Sequence, residues 1–326
     1  MQSVALGINN CHPVSDVLAA LTEAEGLGAE AAFVSEDINC RDAFQLAALA
    51  ARQTDRIRLA TGVVNPYTRN PTSLAMSIAT LDEISRGRAI LGLGTSSPGL
   101  IQDQMGIRPG SGIVVLREAT TIVRALLAGG PVTYEGRYFS YHDAQLEAKP
   151  VQPRIPIYFA AMGPKTLELA GELADGVLLN VGASPEYVRW AVEKITQGAG
   201  RAGRDPHEIT VAAWLAIYLG TGEAPLRRAR RLMARMLSVP RQGELLLDHS
   251  GMTDDGLLVR LRQSYQAYPE RGDVEAAATQ IPEGLAERAT LVGTVHEVTD
   301  RIQQYREAGV NLPVMGVGPL RSLYQG

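Results

Sequence analysis

The chain alternates between short apolar runs and longer stretches in which apolar residues recur every three or four positions. Residues 4–8 form a first apolar run, ended by Asn9 and Asn10. Residues 15–28 then place Val17, Leu18, Leu21, Ala24 and Leu27 at helical spacing, with Gly28 suited to the helix end. A second run at 31–34 stops at Glu36 and Asp37, and a helical segment over 43–51 leads to a third run at 57–61. A helix over 71–85 precedes a strand at 89–93, and a helix over 113–128 precedes a hairpin-like detour near 134–138. A strand at 155–160, a helix at 165–173, a strand at 176–180 and a helix at 185–198 follow. The seventh apolar run, 209–219, opens onto a long, charged, mostly helical stretch over 222–290, before a last helix at 295–308 and strand at 312–317.

Strand and helix alternating at this spacing make βαβ units, hence a parallel sheet with right-handed crossovers. An open doubly wound sheet should carry a glycine-rich fingerprint after its first strand. That turn reads Ile8-Asn9-Asn10-Cys11-His12-Pro13, which has none. The pattern therefore predicts a single (β/α)8 TIM barrel domain over 1–326. The stretch 222–290 is then an insertion between strands seven and eight, placed to shape the mouth.

Composition narrows the function. A chain of 326 residues with 45% hydrophobic content can bury a large core. A net charge of −4 gives no basic field for nucleic acid. The densest basic run, Arg227, Arg228, Arg230 and Arg231, reads as a solvated helix face. No stretch approaches the roughly 20 apolar residues of a membrane helix, and the start, MQSVALGI, lacks the pattern of an export signal. Only Cys11 and Cys40 are present, too few for a disulfide framework, so a reducing cytoplasm is expected. Both lie just past neighbouring strands. They are read as two small residues at the mouth, with a redox pair as the other account. The five histidines are scattered, and no metal site is expected.

In such a barrel, chemistry collects where strands end. After strand two, the adjacent carboxylates Glu36 and Asp37 can supply an acid/base and an acceptor that orients a cofactor, or simply favour a helix start. After strand three, Thr61-Gly62-Val63-Val64-Asn65-Pro66-Tyr67-Thr68 packs polar residues around a glycine. After strand four, Gly92, Gly94 and Thr95 offer small residues and a hydroxyl where a flat ring could meet backbone. After strand five, Ala160-Ala161-Met162-Gly163-Pro164-Lys165 runs straight into a helix. Free amides at that helix start, with the Lys165 charge, suit a phosphate.

These segments, together with Ala79-Thr-Leu-Asp-Glu-Ile-Ser-Arg-Gly-Arg-Ala-Ile-Leu-Gly-Leu-Gly94 and Ala174-Asp-Gly-Val-Leu-Leu-Asn180, resemble the luciferase-like superfamily of flavin and deazaflavin barrels. More narrowly, they are similar to its coenzyme F420-dependent methylenetetrahydromethanopterin reductase branch. The resemblance implies a cis peptide at Gly62–Val63 whose bulge backs one face of a ring. It implies Glu36, Asn39, Val64, Asn65, Gly94 and Thr95 around that ring, Ala160 to Lys165 on a phosphate, and a homodimer. It places Asp37 where relatives often carry a catalytic histidine, which makes Asp37 and Glu36 the candidate catalytic residues. The reductase has an acid late in strand one where this chain has Asn9, and sugar-phosphate dehydrogenases of the superfamily have one after strand four where it has Ser97. The reading is an oxidoreductase exchanging a hydride between coenzyme F420 and an organic small molecule. An FMN-dependent monooxygenase and a non-catalytic ligand-binding barrel are the alternatives.

Overall fold

Runs of four or five small and branched apolar residues, buried on both faces, make strands that other structure must cover on each side. The computed structural model, which describes residues 3–253, 255–267 and 270–324, arranges eight of them as a closed parallel barrel. They are β1 (Ala5–Ile8), β2 (Ala31–Val34), β3 (Arg58–Thr61), β4 (Ala89–Leu93), β5 (Ile157–Ala160), β6 (Gly176–Leu179), β7 (Thr210–Trp214) and β8 (Leu312–Met315). Each pairs with its neighbours in the chain, and β8 closes on β1 through Ala5 opposite Val314. The expected (β/α)8 barrel is met strand for strand. Met1 and Gln2, the first residues of the segment read for an export signal, lie outside the described residues, as do residues 254, 268 and 269 of the stretch 222–290. Among the described residues, no helix is long and apolar enough to cross a membrane.

Alternation along the strands sorts two cores. Ala5, Phe33, Ala60, Ile90, Tyr158, Leu178, Ala212 and Val314 fill the barrel interior. Leu6, Val34, Leu59, Leu91, Phe159, Val177 and Ala213 face the helices. Large interior side chains sit where another strand has none: a Cβ on Gly7 would lie 2.6 Å from the Trp214 ring, and one on Gly176 would lie 2.6 Å from that of Tyr158.

The surrounding helices are α1 (Val14–Gly26), α2 (Ala43–Ala51), α3 (Pro71–Ser85), α4 (Pro98–Met105), α5 (Gly112–Ala128), α6 (Pro164–Leu173) and α7 (Pro185–Arg201). The detour after α5 is an antiparallel hairpin of Val132–Glu135 and Ser140–Ala144. The short α4 has no counterpart in the sequence reading, because one turn of apolar spacing around Ile101 is too little to mark it.

The seventh run is where the structure departs from the pattern. It does not stay one strand over 209–219: β7 ends at Trp214, and Ile217–Leu219 leaves the barrel to pair in parallel with Leu291–Gly293. Apolar character is continuous across the bend, so the pattern carried no mark of it. Between these two short strands lie α8 (Glu223–Ser238), α9 (Gln242–Asp248), α10 (Leu257–Ser264), α11 (Val274–Ala278) and α12 (Glu283–Ala289), around a core of their own that includes Met233, Leu237, Leu261 and Leu285. The basic run on α8 is not simply solvated. Arg227 and Arg231 pair with Glu275, Arg230 with Glu223 and Glu283, and Arg228 covers the Tyr218 ring. α13 (Val295–Glu307) precedes β8, and α14 (Val317–Tyr324) begins where the last strand was expected to end.

Two of the segments that carry the resemblance fasten the N-terminal ends of the strands. Arg88 donates to the carbonyls of Ala51, Thr54, Ile57 and Ser85. Buried Asp82 accepts from the amides of Val151 and Gln152, both at 2.8 Å, and from the Gln152 side chain. Asp175 accepts from the Ile157 amide at 2.8 Å, Arg124 at 2.7 Å and Arg154 at 3.0 Å. Burial pushes the Asp175 carboxyl up, but the Arg124 bond and charge, the Ile157 amide and Arg154 outweigh it and hold the group below the usual carboxylate range.

A depressed value in the folded state gives stability that is present above the unfolded carboxyl range, near pH 4, and is lost as pH falls through the folded value. Asp175→Asn should therefore cost roughly 2–3 kcal/mol at pH 7, since two arginines lose their counter-charge. Thermal melts across pH would show the gap to wild type narrowing below about pH 4. A gap independent of pH would mean that the Asp175 charge does not matter.

Candidate active site

The C-terminal mouth begins with the exit of β3. The Gly62–Val63 peptide is cis, as the resemblance implied. Around it the chain stays bonded to β4: the Val64 amide donates to the Gly92 carbonyl at 3.0 Å, and the Gly94 amide to the Val64 carbonyl at 2.9 Å. The Thr61 hydroxyl and the Gly92 backbone exchange two further bonds. This approach requires glycine. A Cβ on residue 92 would stand 2.0 Å from the Thr61 carbonyl oxygen, and one on residue 94 would meet Val63 at 2.6 Å and Ala160 at 3.2 Å. Val63, Gly94 and Ala160 thus come together, from the exits of β3, β4 and β5.

Val63 and Trp214 both sit half-buried on top of the interior core and form its upper layer. Trp214 was not singled out from sequence. Its signal is an aromatic residue closing an apolar strand opposite Gly7, which is readable only once the two are known to face each other.

Glu36 and Asp37 diverge. Glu36 accepts from the Ala43 amide at 3.1 Å and from Arg69 at 2.9 and 3.3 Å. Arg69 also binds Asp42 and lies over the Phe44 ring. Both Glu36 oxygens are therefore engaged within the protein. Asp37 is exposed and accepts from the Asn9 side-chain amide and, at 3.4 Å, from Ser35. Asn39 holds a left-handed φ of 67° and reaches Gln104 of α4 at 3.3 Å. Asn65 closes an Asx turn on the Tyr67 amide at 2.7 Å, and Thr95 lies against Gly112.

The loops after β1 and β2 are joined covalently. Cys11 and Cys40 form a disulfide, with Cα atoms 5.0 Å apart, where two unlinked small residues were expected. The reason is buried Asn10. Its side chain donates to the carbonyls of Asp37 and Arg41 and accepts from the Asp37 amide at 3.0 Å, so the two loops are drawn within bridging range.

After β5, Gly163 is the N-cap of α6 and no side chain caps that helix, as none caps α1 or α5, whereas Asp42, Asn70, Ser97 and Ser184 cap α2, α3, α4 and α7. Pro164 takes the first helical position, Lys165 is exposed, and nothing lies within 4 Å of a Cβ placed on Gly163. The turn is held from behind by a residue the sequence did not reveal. Tyr187, fully buried on α7, donates to the Met162 carbonyl at 2.7 Å, and burial raises its phenol well above the usual range. Ser184, one turn earlier, donates to the His249 carbonyl at 2.9 Å, and the His249 ring stacks on Trp190 at 4.2 Å. Met162 packs against both the barrel core and the core of the 222–290 segment, which also approaches Gly182 through Met233 and Leu246.

The candidate residues thus occupy the adjoining exits of β2 to β5. Among the described residues, no group of three or more His, Cys, Asp or Glu could hold a metal.

A model of the family described as luciferase-like monooxygenase matches residues 3–312. The chain belongs to that family. It is 33% identical to a 5,10-methylenetetrahydromethanopterin reductase of Methanolobus tindarius, over 91% of this chain and 89% of the relative. The structure of a coenzyme F420-dependent tetrahydromethanopterin reductase from Methanopyrus kandleri superposes with a TM-score of 0.87 at 29% identity, covering 99% of this chain and 98% of the other. An F420-dependent secondary alcohol dehydrogenase shares the fold at a TM-score of 0.79 and 22% identity, over 99% and 98%. The expected superfamily and its reductase-like branch are both met.

If the Tyr187 hydroxyl fixes the turn after β5, Tyr187→Phe should lower stability by about 1 kcal/mol and speed amide exchange at residues 163–167. Hydrogen exchange followed by mass spectrometry checks this. Unchanged exchange there would remove the hydroxyl from that task.

Proposed function

We propose that this luciferase-like barrel is a coenzyme F420-dependent oxidoreductase acting on an organic small molecule. The observation that carries the proposal is the uncapped start of α6, open at Gly163 and flanked by Lys165, beside the bulge of β3 packed on Gly92 and Gly94. The residues fit the group: a phosphate suits the Gly163 and Lys165 amides with the Lys165 ammonium, since Pro164 has no N–H and the Thr166 and Leu167 amides donate to the Gly163 carbonyl, and a flat ring suits a floor of Val63 and small backbone. Its likeness to F420-dependent relatives supports the same reading. When bound, coenzyme F420 supplies hydride chemistry.

The protein's own residues divide the remaining work. Ala160, Ala161, Met162, Gly163, Pro164 and Lys165 hold the anionic tail. Gly62, Val63, Val64, Asn65, Gly94 and Thr95 bound the ring, with Asn39 at its edge. Glu36 bounds the same side with Arg69, and because its oxygens are engaged it acts on position more than on protons. Asp37 is the group that holds or moves a proton at its carboxylate, kept in place by the Asn9 amide. That arrangement bears on the substrate. Where the reductase branch carries an acid late in strand one, this chain spends Asn9 on orienting the acid of strand two. The substrate is read as an organic molecule at the open face, and a pterin like that named for the relatives is one candidate. The segment 222–290 forms a wall on the β5 and β6 side of one barrel domain. A homodimer is the proposed assembly, and the mass found in sedimentation decides it.

The family description also covers monooxygenases, and FMN offers the same phosphate and a tricyclic ring. Titration of the purified protein with coenzyme F420 and with FMN, followed by absorbance and fluorescence, should show saturable binding of the deazaflavin. Binding of FMN alone would replace this reading. Two substitutions then separate the roles. Lys165→Ala should weaken F420 binding about three- to tenfold while changing turnover at saturation less. Asp37→Asn should leave binding within about twofold and depress turnover at least tenfold. Equal affinity in the first, or equal turnover in the second, removes that residue from its role.

A further inference from the structure

The bridge between Cys11 and Cys40 stands outside the functions assigned so far. It joins the exits of β1 and β2, and both residues are exposed to solvent. Exposed disulfides are open to attack by thiolates, unlike those sealed in a core. Arg41 follows Cys40 and donates from Nη1 to the Cys11 carbonyl at 2.9 Å, so a cation is bonded to the backbone of the bridge. The bridge is also wired to the exposed acid of the mouth. The Cys11 amide donates to the Asn9 side-chain oxygen at 2.7 Å, and the amide of the same Asn9 side chain donates to the Asp37 carboxylate. The Cys40 amide donates to the Asp37 carbonyl at 3.2 Å.

We propose that Cys11 and Cys40 are a reversible thiol–disulfide site, whose substrate is a dithiol reductant and whose state sets how firmly Asp37 is held. A thiolate of the reductant attacks one sulfur, forming a mixed disulfide and releasing the other cysteine as thiolate. The second thiol of the reductant then displaces the first cysteine. Two electrons pass to the cysteine pair, the reductant leaves as a disulfide, and its two protons end on the new thiols. Once the bond is open, the loops are tied by the hydrogen bonds of Asn10 and Arg41, which breathe more readily than a covalent link. The site on β1 and β2 is then loosened, while the turn after β5 is untouched.

The test uses the full chain with dithiothreitol as the dithiol and glutathione disulfide as the oxidant. Alkylation and mass spectrometry should count no free thiols in the oxidised protein, two after mild reduction of the folded protein, and none after reoxidation. Hydrogen exchange at residues 36–42 should rise about tenfold on reduction, with residues 163–167 unchanged. Cys11→Ser and Cys40→Ser should each show the faster exchange under both conditions. A bridge that opens only when the protein unfolds would overturn the proposal, as would thiols that never oxidise, or reduction that leaves exchange at 36–42 unaltered. Because thiol count and exchange need no cofactor, these outcomes stand apart from whether coenzyme F420 binds.

Discussion

Two ångströms separate the carbonyl oxygen of Thr61 from where a side-chain carbon would stand on residue 92. That closeness lets the end of β3 lie down on β4 instead of continuing along the barrel axis. Once it does, Val64 takes ladder hydrogen bonds from β4 on both sides, and Val63 is turned over the interior core beside Gly94 and Ala160. Any side chain at 92 or 94 would lift the bulge and spoil the junction of three strand exits. The candidate site therefore depends on a backbone contact, and its chemistry-bearing side chains are arranged around it.

The barrel was legible because its strands are buried on both faces and so read as unbroken apolar runs, while the helices keep their three-to-four spacing. What failed to show were features set by distant partners. The exit of residues 217–219 from the barrel is decided by Leu291–Gly293, more than seventy positions on, and the apolar run gives no local sign of it. Tyr187 under Met162, Trp214 over Gly7 and Arg69 behind Glu36 are likewise pairings made by the fold. Each looks like an ordinary core or surface residue in its own segment.

The segments most useful for recognising the superfamily divide between the two ends of the barrel. Glu36, Asn65, Gly94 and Lys165 lie at the mouth. Asp82, Arg88 and Asp175 lie at the opposite end, where they satisfy strand-start amides and loop carbonyls that would otherwise be buried without partners. A motif can therefore mark ancestry through what holds the barrel shut and say nothing about the reaction. Only the mouth residues are candidates for chemistry, and there the Asn9 amide, at the end of β1, is bonded to the Asp37 carboxylate, after β2.

The mouth has two mechanically different halves. On the β1–β2 side, loops are held by hydrogen bonds of buried Asn10 and of Arg41, and by a solvent-exposed bridge. On the β5–β6 side, the turn at Met162 is held by Tyr187 and pressed between two apolar cores, one of them belonging to the 222–290 segment. An anion grip gains from rigidity, since its amides must already point outward before the ligand arrives. A group proposed to carry a proton to a bound molecule gains from freedom to adjust. In the proposed roles Lys165 stands on the braced half and Asp37 on the half held by hydrogen bonds and the bridge, so opening of the bridge, as proposed, would act on one without disturbing the other.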